Sequence, residues 1–332
     1  MNDSHDPETN PNQQTSAQQQ PADASLTRAE FETLLENRLA QFRFQSWEDD
    51  LSKNSLDVLP FENQPPISER LSELEGLGIS GMSREQVRAM AERDSFPIPS
   101  NEDRERYSVD NDGKYWISGL RDYVKITRAL EDHSIEANRY FDFGCASGRV
   151  VRHFAAQSDL QEIWGSDLNA RHVRWLCKFM PATVKPIANH ALPMLPVADN
   201  HFDLITAFSV FTHIDTFETC WLAELRRVLA PGGLAYVTVH NEDTWRVLRD
   251  ELDNPNNRLI QSMIAIEPDV KAQIEAGQMP PGRTVYRFTH EGPYRAQVFH
   301  TNDHIKNVWG RFFEVVDILP CHHVRQSVVI LK

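Results

Sequence analysis

From residue 139 to about 240 the chain repeats one pattern: a short apolar run, a turn, then a longer stretch with apolar residues at helical spacing. The runs predict strands at 139–143, 162–166, 183–188, 203–208 and 234–239. The periodic stretches between them predict helices at about 148–157, 169–179 and 216–229. Strands alternating with helices imply a doubly wound α/β fold, a parallel sheet covered on both faces. Two further runs, "FEVVDIL" (313–319) and "SVVILK" (327–332), are separated only by "PCHHVRQ". That spacer is too short for a helical crossover, so the runs predict an antiparallel terminal hairpin. A helix at about 301–311 precedes them. Residues 241–298 are polar and mixed, with "NPNN" and "MPPG" as breakers, and read as an insertion.

Upstream, the second half of 112–133 is amphipathic through Leu120, Tyr123, Val124, Ile126, Thr127 and Leu130. Residues 46–105 are broken by Pro60, Pro65, Pro66, Pro97 and Pro99, with a short helix expected at 83–93. "TRAE" (Thr27–Glu30) fits a capping box, and Phe31, Leu34, Leu35, Leu39 and Phe42 follow at helical spacing. That helix can pack on the body of the protein or on a partner. Residues 1–24 are polar and Pro- and Gln-rich, too poor in apolar groups to offset ordering entropy. The expected organisation is a disordered tail at 1–25, an acidic, mainly helical extension at 26–111, and the main domain at 112–332 with its insertion at 241–298.

Charge sharpens that division. Residues 1–105 carry 21 of the 48 acidic and 9 of the 34 basic side chains, so most of the net charge of -14 belongs to the N-terminal third. No basic tract points to nucleic acid. The longest nearly apolar run, "LITAFSVF" (204–211), is too short to span a bilayer. The N-terminal residues show neither a basic n-region nor an apolar h-region. The four cysteines, Cys145, Cys177, Cys220 and Cys321, are scattered without a CxxC pair, which suggests a reduced, cytoplasmic protein.

The chemistry begins at "YFDFGCASGRVVRHF" (140–154), a strand running into a small-residue turn and then a helix. A dinucleotide loop needs glycine at its first, third and sixth positions. Counting from Gly144, the third position is Ala146, Gly148 is fifth and Arg149 is sixth, which disfavours a nicotinamide or flavin site. The spacing, with Asp142 ahead of it, fits the shorter loop that meets an amino-acid end through backbone N–H groups. A tight turn with no ligand is the competing reading, and the turn requires a negative φ at Ala146 if alanine is to keep it. Asp167 ends the second strand, 19 positions after Gly148, where a carboxylate can accept from ribose hydroxyls. It can equally cap the helix beginning near Asn169. Asn189 and His190 follow the third strand, within reach of an adenine edge, and Ser209 to His213 follow the fourth, where an open sheet forms its crevice.

Four segments in order, "DFGCASG" (142–148), "GSDL" (165–168), "LPVADNHFD" (195–203) and "LRRVLAPGG" (225–233), resemble the class I S-adenosylmethionine-dependent methyltransferases. The resemblance covers about 112–332 and implies a Rossmann-like, mostly parallel seven-stranded sheet with S-adenosylmethionine as cofactor. It assigns cofactor contacts to Asp142, Gly144, Cys145, Ala146, Gly148, Asp167, Leu168, Asn189, His190 and Ser209. Cys145 occupies a variable loop position and reads as packing rather than as a nucleophile. Within the family, "YWISGL" (115–120), "SVFTHI" (209–214) and 298–315 look most like a branch found beside glycan-synthesis genes. That branch would place Trp116, Ser118 and Gly119 at the methionine end, whereas a core anchor is the plain reading of Trp116.

For a hydroxyl acceptor a general base helps, and His213 is the leading catalytic candidate, ahead of His240 and His300. Asp215 can orient an imidazole or form a D-x-x-E cap with Glu218. His322 and His323 give no metal spacing, and no metal is expected. The expected partner is a small-molecule or glycan acceptor. A protein or lipid-linked acceptor, or a non-catalytic cofactor-binding module, is the alternative.

Overall fold

Each apolar run of the alternating region becomes a strand in the computed structural model, which describes residues 60–104, 107–108, 111–287 and 296–332. The tail at 1–25 and the helix expected from Thr27 lie outside these residues. All described residues fall within the unit Gln45–Lys332. Helices α1 (Arg84–Arg93) and α2 (Asp112–Asp132) lead into β1 (Arg139–Phe143), α3 (Val151–Gln157), β2 (Glu162–Asp167), α4 (Ala170–Phe179) and β3 (Val184–Ala188). Then come β4 (Phe202–Ala207), α5 (Glu218–Val228) and β5 (Leu229–Val239). After β5 come α6 (Glu242–Asp250), α7 (Arg258–Ile266), α8 (Val270–Glu275) and the strands β6 (Arg283–Arg287) and β7 (Ala296–His300). The chain closes with α9 (Asn302–Val308), β8 (Val315–His323) and β9 (Gln326–Leu331).

The main sheet has seven strands in the order β3-β2-β1-β4-β5-β9-β8. Pairing from β3 through β5 is parallel, and β9 runs antiparallel to both β5 and β8. The winding direction reverses between β1 and β4, so a crevice forms at their carboxyl ends, where ligands of open α/β sheets bind. Alternate residues serve opposite faces. Tyr140, Leu204 and Tyr236 join α2, α3 and α4 in one core, while Phe141, Ile205 and Val237 join α5 and α9 in the other.

Two boundaries differ from the pattern. The helix anticipated only in the second half of 112–133 spans Asp112–Asp132, with Asn111 capping it through the Lys114 amide. Its first half escapes periodicity because Gly113 and Gly119 sit where the Glu73 and Arg149 carbonyls leave no room for a Cβ. Low helix propensity there is overridden by close packing. β5 begins earlier than 234 because Leu229 pairs with Phe202 before a register shift absorbs the Pro-Gly-Gly turn. Trp245, Leu248, Ile260, Met263, Tyr286 and Phe299 form a third core.

The described part of the N-terminal extension is pinned by buried polar bonds. Asp94, at 0% exposure, accepts from Arg152 Nε (2.8 Å), Arg152 Nη2 (3.0 Å) and the Trp116 indole (2.7 Å). This carboxylate therefore ties α1 to α2 and to α3, the helix that leaves the glycine turn.

Candidate cofactor and transfer site

The turn after β1 sits at the switch point. Gly144 and Gly148 adopt φ of 78° and 76°, and Gly144 passes so close to Val210 that a Cβ would collide with it. Ala146 also takes a positive φ, 46°, which corrects the expectation of a negative one. Strain there is offset because the Ala146 amide donates to Asp167 Oδ2 at 2.8 Å. The other carboxylate oxygen, Oδ1, accepts from the Asn169 amide at 2.8 Å, while Asn169 itself caps α4. Asp167 is thus a loop clamp rather than the helix cap. Each of its oxygens retains a second lone pair of the kind a ribose hydroxyl engages.

Asn189 continues this edge, its amide bonded to the Asp167 carbonyl at 3.1 Å. Its side chain is buried, and Oδ1 has no hydrogen-bond partner among the described residues. A buried acceptor lacking a donor fits the exocyclic amine of an adenine. His190 is exposed and Leu168 half-buried beside the clamp. Cys145 packs beneath Gly165, and burial pushes its thiol well above the ordinary value, which suits packing and not nucleophilic chemistry.

Asp142 lies under the turn at 3% exposure and accepts from Thr206 Oγ1 at 2.7 Å. Burial raises its carboxyl to about 7, against the Thr206 bond and the Arg149 charge. The folded state therefore binds this proton more tightly than the unfolded chain, and the group's contribution to stability falls as pH rises from about 4 to about 7. Chemical denaturation at pH 5 and pH 8 should show a smaller loss of stability on going alkaline for Asp142→Asn than for the parent.

The crevice wall includes residues that sequence reasoning did not assign. Arg149 pairs with Asp122 at 2.6 Å and lies over the Tyr107 ring, and Tyr107 Oη meets Ser209 Oγ at 3.2 Å. Although burial opposes it, Arg149 and the nearby His323 hold Asp122 well below the carboxylate range. Ser147 Oγ donates to the Asp103 carbonyl, and Asp103 accepts from Arg171 at 2.5 and 3.0 Å. The only sequence signal was the sixth-place arginine, since its partners lie far away along the chain. Ser209, with φ of 56°, donates to Gln326 at 3.2 Å.

Trp116 and Ser118 both lie on α2. The Trp116 indole is buried on Asp94, the anchor role, and Ser118 Oγ donates to the Tyr115 carbonyl of its own helix at 2.7 Å. Asp215 accepts from Arg287 at 3.0 Å and does not cap α5, whose N-cap is Phe217, without a side-chain cap bond. Glu218 instead accepts from Trp309 Nε1 (2.7 Å) and contacts His300 (2.9 Å) and His304 (3.1 Å).

His213 stands one turn beyond Val210, which presses on Gly144. Its Nδ1 donates to the Ala296 carbonyl at 2.8 Å, which puts the neutral lone pair on Nε2. Burial lowers its pKa, the Ala296 bond opposing. His240 stacks on Phe299, and burial with the neighbouring His213 lowers it to about 3. Strand β7 therefore gathers His213, His240 and His300, which are scattered in sequence. Among the described residues no group of His, Cys, Asp and Glu can hold a metal ion, and no helix is long and apolar enough to cross a membrane.

Residues 115–279 match the family model described as a methyltransferase domain. The ubiquinone/menaquinone biosynthesis C-methyltransferase of Cupriavidus necator is 32% identical over 157 residues, covering 45% of this chain and 60% of that protein. Its counterpart from Cupriavidus metallidurans is 29% identical with the same coverage. The chain thus spans 60% of the length of these curated relatives. Among solved structures, the Burkholderia thailandensis 1,6-didemethyltoxoflavin-N1-methyltransferase, with bound 1,6-didemethyltoxoflavin and S-adenosylhomocysteine, matches at a TM-score of 0.42 and 14% identity, over 64% of this chain and 77% of that one.

Proposed function

Because the chain belongs to the class I S-adenosylmethionine-dependent methyltransferases, we propose that it methylates a hydroxyl of a small molecule, a sugar among the candidates. Bound S-adenosylmethionine supplies an electrophilic methyl group on a sulfonium. The small-residue turn from Gly144 to Gly148 would leave room for its amino-acid end, Asp167 would hold the ribose and Asn189 the adenine amine, with Leu168 and Cys145 along the wall. Ser209 lies towards the transfer end.

The chain's own tasks are to align the acceptor, exclude water and remove the hydroxyl proton. The observation that carries the reading is His213. The Ala296 carbonyl orients its ring and burial keeps it neutral, so Nε2 holds the lone pair of a base. The curated relatives, named as C-methyltransferases of ubiquinone/menaquinone biosynthesis, support a second reading, methyl transfer to carbon. The same base serves both routes, and the methylated atom separates them.

Label from methyl-labelled cofactor should appear in a small-molecule fraction. Its absence from small-molecule, protein and lipid fractions alike would overturn catalysis. His213→Ala should lower kcat by about 100- to 10,000-fold while S-adenosylhomocysteine affinity is retained. With the imidazole pKa lowered, parent turnover should persist below pH 6.5. Full turnover in the variant would remove His213 as base.

A further inference from the structure

Beside the histidine group a cavity of about 810 Å³ opens between α6, the 277–282 turn and α9, a size suited to a small organic molecule. Trp245, Met279 and Val308 contribute apolar wall, and Arg246, Arg249 and Gln278 contribute polar wall. Trp245 is 2% exposed, and its indole N–H has no acceptor among the described residues. A ligand oxygen would supply one.

The arginines are spaced i, i+3 on α6 and share a face. Their present pairings are exposed and exchangeable. Arg246 reaches Asp243 at 2.8 Å with 61% of its side chain exposed, and Arg249 reaches Asp250 at 3.4 Å with 46% exposed. The lining also holds Glu242 and Asp303, and both Glu242 oxygens are turned onto the Asn302 amide. Two guanidinium groups can therefore turn onto an anion in fork geometry.

The cavity also abuts the transfer region. Glu242 and Thr301 line it within two residues of His240 and His300, and His304 in its wall contacts the Glu218 carboxylate that also contacts His300. We propose that this cavity anchors an anionic group of the acceptor, so that the substrate class is small molecules bearing a phosphate or carboxylate besides the methylated position. The proposal rests on the methyltransferase reading. The arginines hold the anion, the Trp245 N–H bonds one of its oxygens, and the acceptor's other end extends towards His240 and His213.

Isothermal titration in the presence of S-adenosylhomocysteine tests this with glycerol phosphate against glycerol, and para-hydroxybenzoate against phenol. In at least one pair the anionic probe should bind about ten-fold or more tightly than its neutral partner, and which pair responds separates phosphate from carboxylate. The double variant Arg246→Gln/Arg249→Gln should bring that ratio near one while S-adenosylhomocysteine affinity is unchanged. Trp245→Phe, which keeps a ring and deletes the N–H, should weaken the anionic probe by about three-fold or more at unchanged cofactor affinity. Equal binding within both pairs, a preference that survives the double variant, or no probe binding to cofactor-loaded protein would overturn the inference and leave the methyltransferase reading standing. Failure of S-adenosylhomocysteine itself to bind would overturn both.

Discussion

Asp94→Ala should lower the free energy of unfolding by about 3–5 kcal/mol, read as a shift of the urea midpoint at unchanged slope. The side chain is fully buried, and it neutralises an Arg152 that is also at 0% exposure. Truncation leaves that guanidinium with only the Phe96 and Pro97 carbonyls and strips the Trp116 indole of its acceptor. Desolvation of an uncompensated charge dominates the loss, exceeding the value of any single bond. Asp94→Asn should fall between parent and alanine, because an amide still accepts from one donor but carries no charge. Arg88→Ala, which breaks the exposed Arg88–Glu92 pair, should change stability by less than about 0.5 kcal/mol. If Asp94→Ala proved no more damaging than Arg88→Ala, the tie between α1, α2 and α3 would not hold the extension in place.

Asp167→Ala should weaken S-adenosylhomocysteine binding by about 100-fold or more in isothermal titration, roughly 2.7 kcal/mol. Two losses combine. The ribose hydroxyls lose a charged acceptor, and the Ala146 amide loses the bond that holds its residue at a positive φ. Asn is predicted to be almost as poor. Both carboxylate oxygens accept from backbone amides, so the –NH2 of an asparagine must face either Ala146 N–H or Asn169 N–H. Near-parent affinity in Asp167→Asn would show that charge and acceptor count at this position do not control the cofactor site.

Local patterns carried the fold well where each element is determined by its own residues. The strands expected at 139–143 and 183–188 came from apolar runs bounded by turns and form at 139–143 and 184–188, and the helix expected at 83–93 forms at 84–93, where Ser83 closes a capping box. Gly113 and Gly119 misled because their reason is a neighbouring backbone rather than the helix itself. The tight turn at Gly144 and Gly148 was legible for a related reason, since both glycines take a positive φ that only small residues tolerate. Ala146 was misjudged because its left-handed conformation is held by a side chain 21 residues away.

The sequence by itself determined a doubly wound sheet, its antiparallel ending and a loop shaped for an adenosine-bearing cofactor, since periodicity and turn chemistry are properties of neighbours along the chain. Tertiary structure decided the rest. It sent Trp116 to Asp94, gave Arg149 its Asp122 partner, and brought His213 and His240 against β7, the strand that ends in His300. Buried charges and hydrogen bonds need partners within about 3 Å, and chain order does not say which distant residues folding will bring that close.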